Sequence, residues 1–361
     1  MGYTRQNIDR LEPYMPGDQP DGKHIVKLNT NENPFAPCDA VLEAISGVSG
    51  EMLRRYPPPT ADAFRRAAAQ VHGVSPSMVI ATNGGDELLR LAITVFCEPG
   101  LGCGGLAVSD PTYSLYHVLA QIHGSTITRI PLTAQWELPD DFSDRCIRAG
   151  CRLVMIVNPH APTGKLRALD QLESIAAKLR GHCILLIDEA YVDFAEHDAV
   201  SMLSSAKGLD NILLLRTLSK GYSLAGLRFG YGLGPAELVA ALDKARDSYN
   251  TDVIAQKAAI TALQHRQEAA KTWQAVRSER TRLTQELLDL AYDVLPSDSN
   301  FLLVKPPETG PNAAAIFLSL KKKGIYVRYF DQDRLRDRLR ITIGSTEQND
   351  KFIAALNTDK N

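Results

Sequence analysis

Residues 212–234 read Ile-Leu-Leu-Leu-Arg-Thr-Leu-Ser-Lys-Gly-Tyr-Ser-Leu-Ala-Gly-Leu-Arg-Phe-Gly-Tyr-Gly-Leu-Gly, and this stretch indicates the fold most strongly. It opens on a continuous apolar run, residues 212–215, which is typical of a strand covered on both faces of a parallel sheet. Thr217, Ser219 and Lys220 follow the run, and Arg228 comes eight residues after the lysine. The sequence therefore places an amine, two hydroxyls and a guanidinium at the end of one buried strand.

This combination of groups suits a phosphorylated aldehyde. A lysine amine attacks a carbonyl only where a dry or cationic environment keeps part of it neutral. A phosphate binds well to hydroxyl donors and to a bidentate guanidinium. Pyridoxal phosphate carries both an aldehyde and a phosphate, so the stretch predicts a site for this cofactor with Lys220 as its covalent ligand.

Apolar runs alternate with helical patterns from about residue 40 to residue 245. Helices are predicted, for example, over residues 86–97 and 168–179. The alternation predicts an α/β protein with a mostly parallel sheet between helices. The runs predict strands over residues 78–81, 106–109, 126–130, 152–157, 183–187 and 212–215.

The pattern changes after Tyr249. A long helical region is predicted to about Tyr292, followed by a smaller α/β unit that ends in a helix. Within that unit we expect a helix over residues 313–323 and strands over residues 301–304, 325–328 and 340–343. The chain is thus predicted to have an N-terminal arm (1–35), a large cofactor-binding domain (36–248) and a small C-terminal domain (249–361).

Composition excludes several classes of protein. The 361 residues carry a formal net charge of −2, which gives no electrostatic reason to bind nucleic acid or an anionic membrane. No apolar run reaches the roughly 18 residues needed to cross a bilayer, and the polar N-terminus lacks a signal-peptide core. The six cysteines and eight histidines show no metal-ligand spacing. We therefore expect a cytoplasmic protein without a metal site, whose cysteines are reduced core residues.

Residues 100–105 match the dinucleotide-binding fingerprint G-x-G-x-x-G. That fingerprint binds a dinucleotide only where it follows a strand and opens a helix. Here the run follows a predicted helix and precedes a predicted strand. We interpret it as a turn.

Other strand ends offer groups that the cofactor needs. Residues 83–87 (Asn-Gly-Gly-Asp-Glu) open a helix, where free amides attract phosphate, although such a turn also caps helices that bind nothing. Asp188 comes directly after the strand 183–187 and suits a pyridine nitrogen, and Tyr191 follows three residues later. The alternative is a helix-capping aspartate with a buried tyrosine. Tyr113 follows the strand 106–109 and suits ring stacking, and residues 158–164 follow another strand.

Together these motifs resemble fold-type I pyridoxal-phosphate aminotransferases and, more closely, the histidinol-phosphate aminotransferase family. The resemblance covers nearly the whole chain. The lysine segment and the Asp-Glu-Ala-Tyr motif indicate the superfamily, whereas the Asn-Glu-Asn-Pro motif and two C-terminal arginines indicate the family. The matching segments are residues 28–34, 56–57, 83–87, 110–113, 188–191, 217–220, 224–228, 299–301, 324–328 and 339–344.

The resemblance implies the catalytic roles. Lys220 would bind the cofactor as an imine and move the proton between substrate and cofactor. Asp188 would pair with the ring nitrogen, Tyr191 would bond the ring oxygen O3′, and Tyr113 would stack on the ring.

The resemblance also implies the binding residues. Tyr56 would reach the cofactor phosphate of the neighbouring subunit, so the active unit would be a homodimer. Arg340 would bind the substrate anion, with Arg328, Tyr14 and Asn33 as further substrate ligands. The phosphate would be held within one chain by Gly84, Gly85, Asp86, Thr217, Ser219 and Arg228.

One position departs from the family pattern. Such enzymes usually place Asn directly before Pro-Thr-Gly, where it bonds the cofactor O3′, but here that residue is Ala161. Alanine has no donor, so only Tyr191 of the usual pair remains; Asn158, three residues upstream, is the candidate substitute. We expect a raised imine pKa, because O3′ then keeps a stronger internal bond to the imine proton.

The favoured function is a reversible amino-group exchange between histidinol phosphate and 2-oxoglutarate, giving imidazole acetol phosphate and glutamate in histidine biosynthesis. Two alternatives on the same scaffold stay open: an aromatic amino-acid aminotransferase and a threonine-phosphate decarboxylase. A nicotinamide-dependent oxidoreductase would need residues 100–105 to follow a strand. A non-catalytic binding protein would not need Lys220, Asp188 and Arg228 together.

Overall fold

The computed structural model describes residues 2–22, 24–100 and 102–358. Its strands are β1 (Val26–Lys27), β2 (Val79–Thr82), β3 (Leu106–Asp110), β4 (Ile127–Pro131), β5 (Leu153–Val157), β6 (Ile184–Asp188), β7 (Ile212–Thr217), β8 (Gly230–Leu233), β9 (Asp293–Val294), β10 (Phe301–Lys305), β11 (Ile325–Tyr326), β12 (Arg328–Tyr329) and β13 (Leu339–Thr342).

The α-helices are α1 (Gln6–Asp9), α2 (Asp39–Ser46), α3 (Gly50–Leu53), α4 (Asp62–His72), α5 (Gly84–Phe96), α6 (Leu115–His123), α7 (Phe142–Arg148), α8 (Leu169–Leu179), α9 (Ala236–Ala245), α10 (Val253–Gln264), α11 (Arg266–Asp289), α12 (Ala313–Lys322) and α13 (Thr346–Thr358). None of these helices combines the length and the apolar character needed to cross a membrane.

A seven-stranded sheet forms the centre of the molecule, in the order β2-β8-β7-β6-β5-β3-β4. The strands from β7 to β4 are parallel, as the sequence predicts, and β8 runs antiparallel to both of its neighbours. Successive residues of a strand face opposite sides, so the apolar runs feed two cores: Leu185 and Ile187 pack on one face and Leu186 on the other. The fold-type I architecture is confirmed.

Strand β8 is absent from the sequence-based prediction. Its Gly-Tyr-Gly-Leu sequence lacks the β-branched run that marks its neighbours. The structure gives a reason for Gly230: a Cβ there would lie 2.7 Å from the backbone carbon of Gly84. The glycine lets β8 pass against the first residue of α5.

The C-terminal region forms an antiparallel four-stranded sheet in the order β12-β13-β10-β9. The prediction of one strand over residues 325–328 is wrong, because β11 pairs with β1 and β12 pairs with β13. The predicted long helix is two helices, α10 and α11, with His265 between them. The β1–β11 pairing attaches the N-terminal arm to the C-terminal region. The proposed domain limits of 1–35, 36–248 and 249–361 stay a prediction.

Residues 100–105 lie between α5 and β3, so the run precedes a strand and opens no helix. Leu101 of this run lies outside the described residues. The backbone of Gly100 donates to the Gly124 carbonyl, which ties the segment to the end of α6.

Candidate active site

A cavity of about 720 Å³ opens at the edge of the central sheet where the parallel strands end. Parallel strands bring their carboxyl ends to one edge, which is where open α/β sheets bind ligands. All of the sequence-predicted site residues except Gly84, Tyr56 and Asn33 line this cavity: Tyr14, Gly85, Asp86, Tyr113, Asp188, Tyr191, Thr217, Ser219, Lys220, Arg228, Arg328 and Arg340.

Lys220 lies just beyond β7, and its side chain is mostly buried. Its Nζ donates to the Thr30 carbonyl at 3.0 Å. Burial, followed by the nearby Arg340 guanidinium, lowers the pKa of Lys220 to about 8. Its amine is therefore far more often neutral near pH 7 than an ordinary lysine amine, as a nucleophile toward a carbonyl must be.

Asp188 is the last residue of β6 and is 4% exposed. Its carboxylate accepts hydrogen bonds from the Tyr116 hydroxyl at 2.7 Å and from the Ala190 amide at 3.0 Å. Burial raises the pKa of Asp188 to about 6 even though both hydrogen bonds act to lower it. A buried carboxylate whose partners are both neutral fits a protonated pyridine nitrogen, which would supply the missing cation.

Sequence reasoning did not identify Tyr116. The signal that was available is its position three residues after Tyr113, which places Tyr116 in the first turn of α6 and Tyr113 just before that helix. The two rings meet edge to face, with centroids 5.6 Å apart.

A cradle suited to phosphate forms where α5 begins beside Arg228. Arg228 has φ +54°, and its Nη1 donates to the Ser219 hydroxyl at 3.3 Å. The Thr217 hydroxyl accepts from the Ser219 amide at 3.1 Å. Gly84 lies behind this cradle, since a Cβ there would come within 2.7 Å of Arg228 Nη2. Asp86 lies 3.5 Å from the same guanidinium.

The opposite side of the cavity holds two further arginines. Arg340, on β13, donates from Nη2 to the Asn29 carbonyl at 2.9 Å, while its buried Nε has no partner among the described residues. Burial lowers the pKa of Arg340. Arg328 donates to the carbonyls of Met15 and Pro16. A guanidinium with a free buried donor is a ready site for an anion.

Aromatic rings close the space between these two sides. Tyr14 and Tyr113 meet edge to face, with ring centroids 6.0 Å apart. Burial raises the pKa of Tyr113, so its hydroxyl stays neutral. The Tyr113 ring thus offers a flat neutral surface in the same cavity as Lys220.

Residues 29–31 also line the cavity. They belong to the N-terminal segment 28–34, from which sequence reasoning chose only Asn33 as a site residue. Asn29 and Thr30 supply the carbonyls that Arg340 and Lys220 bind, and the Asn31 side chain donates to the Tyr191 hydroxyl at 3.1 Å. The Asn33 amide instead donates to the Gly221 carbonyl at 3.3 Å, which places it behind Lys220. The structure does not bring Asn33 into the cavity.

Tyr56 lies away from the cavity. Its side chain is 81% exposed, and its ring stacks on Tyr249 with centroids 4.5 Å apart. Within one chain it therefore contacts none of the predicted cofactor ligands. Its role across a subunit boundary stays a prediction.

Ala161 lines the cavity, whereas Asn158 does not. The Asn158 side chain is buried, and its Oδ1 accepts from the Arg167 amide at 2.7 Å. Asn158 is therefore engaged elsewhere and does not occupy the place of the missing asparagine.

Comparison with known proteins agrees with this geometry. The family model "Aminotransferase class I and II" matches residues 23–356. Histidinol-phosphate aminotransferase 1 of Trichormus variabilis is 42% identical over 355 residues, which are 98% of each chain. Histidinol-phosphate aminotransferase 1 of Nostoc is 41% identical over 98% of this chain and 97% of that protein.

Solved structures give the same result. The histidinol-phosphate aminotransferase of Sinorhizobium meliloti, solved in complex with pyridoxal-5′-phosphate, superposes with a TM-score of 0.88 and 26% identity over 99% of this chain and 97% of that chain. Aspartate aminotransferase of Thermus thermophilus superposes with a TM-score of 0.80 and 21% identity over 99% of both chains, which shows the shared fold. The chain therefore belongs to the class I and II aminotransferases and groups with the histidinol-phosphate aminotransferases among them.

Proposed function

We propose that this aminotransferase exchanges an amino group reversibly between histidinol phosphate and 2-oxoglutarate, forming imidazole acetol phosphate and glutamate in histidine biosynthesis. The observation that carries the proposal is Arg340, a mostly buried guanidinium whose Nε has no partner in the described part of the chain, in the same cavity as the low-pKa amine of Lys220. Both amino donors are anions, so one arginine serves each in turn. The near full-length similarity to named histidinol-phosphate aminotransferases supports this substrate over others.

The cofactor is pyridoxal 5′-phosphate, which supplies an electrophilic carbon and a ring that withdraws electrons from the substrate. Lys220 would hold the cofactor covalently, and its amine, once displaced by the substrate amine, would carry the proton removed from the substrate carbon. The Asp188 carboxylate would keep the ring nitrogen protonated, because an ion pair would relieve the cost of burying the carboxylate charge. Tyr191 would donate to the ring oxygen, and Tyr113 would pack on the ring face.

The binding groups divide the cavity into two anion sites. The hydroxyls of Thr217 and Ser219, the Arg228 guanidinium and the backbone amides of Gly85 and Asp86 would hold the cofactor phosphate, with Gly84 behind them. Arg340 and Arg328, with Tyr14, hold the phosphate or carboxylate of the substrate. Asn33 contributes indirectly, through the Gly221 carbonyl behind Lys220.

The active unit is a cytoplasmic homodimer in this proposal. Tyr56 is 81% exposed and reaches no group of its own cavity, which agrees with a role at the phosphate of the second subunit. Leu42, Leu53 and Tyr249 are further large apolar side chains exposed on the single chain. A dimer contact would remove such surface from water.

Steady-state turnover with 2-oxoglutarate as amino acceptor tests the substrate. We expect a kcat/KM for histidinol phosphate at least about tenfold above that for phenylalanine, a difference of roughly 1.4 kcal/mol in transition-state binding. A preference for phenylalanine would assign the chain to the aromatic amino-acid aminotransferases. Release of carbon dioxide from threonine phosphate would assign it to the decarboxylases.

A further inference from the structure

Asn31 is a buried polar residue on the cavity wall, and its side chain reaches Tyr191. It is 1% exposed, and its Nδ2 donates to the Tyr191 hydroxyl oxygen at 3.1 Å. The two residues are 160 positions apart, so no local sequence pattern pairs them.

Two neighbours fix the orientation of Asn31. Its backbone amide donates to Thr342 Oγ1 at 3.0 Å, and the Thr342 hydroxyl in turn donates to Asn31 Oδ1 at 3.1 Å. The Asn300 side chain donates to the Asn31 carbonyl at 2.9 Å. Because Oδ1 already accepts from Thr342, the NH₂ end of the amide is the end that faces Tyr191.

This bond determines what the Tyr191 hydroxyl does. An oxygen that accepts from Asn31 directs its own hydrogen elsewhere, and the Tyr191 side chain lines the cavity. Donation to the oxygen also polarises the O–H bond, which strengthens the bond that this hydroxyl donates by about 10–30%. Asn31 therefore makes Tyr191 a directed and stronger donor into the cavity.

The hydrogen bond from Asn31 to Tyr191 matters because of the residue at position 161. Ala161 lines the same cavity without any side-chain donor, and Asn158 is engaged with the Arg167 amide. Of the usual pair of donors to the cofactor ring oxygen, Tyr191 alone remains. We infer that Asn31 is a positioning residue that acts through Tyr191 to strengthen this bond to the ring oxygen and so partly replaces the asparagine absent at position 161.

The inference rests on the proposed function, because Tyr191 must face the ring oxygen of pyridoxal phosphate. Other groups also act on this site. Arg340, Asp188 and Tyr14 face Tyr191, and Arg340, Glu32, Arg228 and Asp86 face Lys220. All of these groups remain unchanged in the variants below. Differences in pKa between the variants therefore report the effect of the Tyr191 hydroxyl alone.

The test is a spectrophotometric pH titration of the visible band of the bound cofactor. It compares wild type, Asn31→Gly, Tyr191→Phe and the double variant. Glycine is chosen because Asn31 has φ +56°, which glycine adopts without strain. Losing a donor to the ring oxygen strengthens the internal bond between that oxygen and the imine proton, so the pKa of the bound cofactor rises.

We expect a pKa rise of about 0.3–0.5 unit for Asn31→Gly and of about one unit for Tyr191→Phe. In the Tyr191→Phe background, Asn31→Gly should add nothing, because the two changes act through the same hydroxyl. The inference is overturned if Asn31→Gly leaves the pKa unchanged. It is also overturned if Asn31→Gly raises the pKa by the same amount in the wild-type protein and in the Tyr191→Phe variant. As a matched control, Asn312→Gly changes the same residue type at the start of α12, outside the cavity lining, and should leave the pKa at the wild-type value.

Asn31→Asp decides the matter if the glycine variant fails to fold. Aspartate keeps the shape but accepts a hydrogen bond, so it draws the Tyr191 hydrogen away from the ring. Its negative charge raises the pKa in either background, and the inference requires a larger rise where Tyr191 is intact than in the Tyr191→Phe background. Equal rises overturn it. A wild-type protein with no cofactor band would instead contradict the proposed function, which separates the two failures.

Discussion

At the scale of single residues, the site contains ionisable side chains whose charged forms are disfavoured by burial. Lys220 and Asp188 are moved in opposite directions by the same cause, since burial disfavours the charged form of each: the lysine pKa falls to about 8 and the aspartate pKa rises to about 6. In the proposed site, bound pyridoxal phosphate would relieve both groups, because it would bond to the lysine nitrogen and give the carboxylate a cationic partner. The empty protein is therefore destabilised where the cofactor is to bind.

Replacing Lys220 by Met in the cofactor-free protein should raise its stability at pH 7. The pKa of Lys220 is lower in the folded chain than its ordinary value of 10.5, so the unfolded chain holds the proton more tightly. The protonated, buried Lys220 therefore lowers the free energy of unfolding. This loss of stability is complete below pH 8 and disappears as the pH rises from about 8 to 10.5. We expect a gain of about 1–3 kcal/mol at pH 7 by urea denaturation. A stability difference that is constant from pH 7 to pH 10.5 would argue against the lowered pKa.

Ala161→Asn should lower the pKa of the bound cofactor. The new amide donates to the ring oxygen and weakens its internal bond to the imine proton, by about one pKa unit for one hydrogen bond to a charged group. A spectral pH titration measures the change. Equal pKa values in the two proteins would show that position 161 does not reach the ring oxygen.

At the scale of elements, the cradle for phosphate depends on how closely β8 approaches α5. Gly230 has the backbone of Gly84 and Gly85 within 3 Å of any added Cβ. Gly84 is in turn held against Arg228, so a shift of the helix start moves the guanidinium as well. Two elements thus set the position of one anion site.

Gly230→Ala should weaken cofactor binding by at least about tenfold, because the added methyl group displaces the first turn of α5. Equilibrium dialysis of pyridoxal phosphate against the cofactor-free protein measures the dissociation constant. Gly226→Ala is the matched control, since a Cβ at Gly226 meets nothing within 4 Å. Equal affinity in the two variants would contradict the role assigned to the β8–α5 contact.

The elements also show which parts of the structure could be predicted from the sequence. The doubly covered strands β5, β6 and β7 were predictable because each contains a continuous apolar run of at least four residues. Strand β8 was not predictable, because its glycines serve a contact with α5 that no local pattern records. The same limit explains why Tyr116 and Asn31 were missed: each acts on a residue more than 70 positions away.

At the scale of the whole molecule, three distant parts of the chain meet at one cavity. The central sheet supplies Asp188 and Lys220, the C-terminal sheet supplies Arg340, and the N-terminal arm supplies residues 29–31 between them. The arm is anchored to the C-terminal region by the β1–β11 pair. The order of these parts along the chain followed from the motifs, but their convergence required the fold.

Mixing two inactive variants tests the proposal that Tyr56 acts in the active site of the neighbouring subunit. In a mixed dimer of Lys220→Ala and Tyr56→Ala chains, one site carries both changes and the other carries neither. Random reassociation makes half of the dimers mixed, so about one quarter of wild-type activity should return. Each variant treated alone is the control. If Tyr56 acted within its own chain, both sites of a mixed dimer would stay defective and no activity would return.

The most direct test is an absorbance spectrum of the purified protein, recorded before and after adding histidinol phosphate without any keto acid. We predict a visible band from cofactor bound at Lys220 that shifts toward the ultraviolet as the amino group passes to the cofactor. A band that ignores histidinol phosphate but shifts with phenylalanine would contradict the substrate. A protein that shows no band even after pyridoxal phosphate is added would contradict the account as a whole.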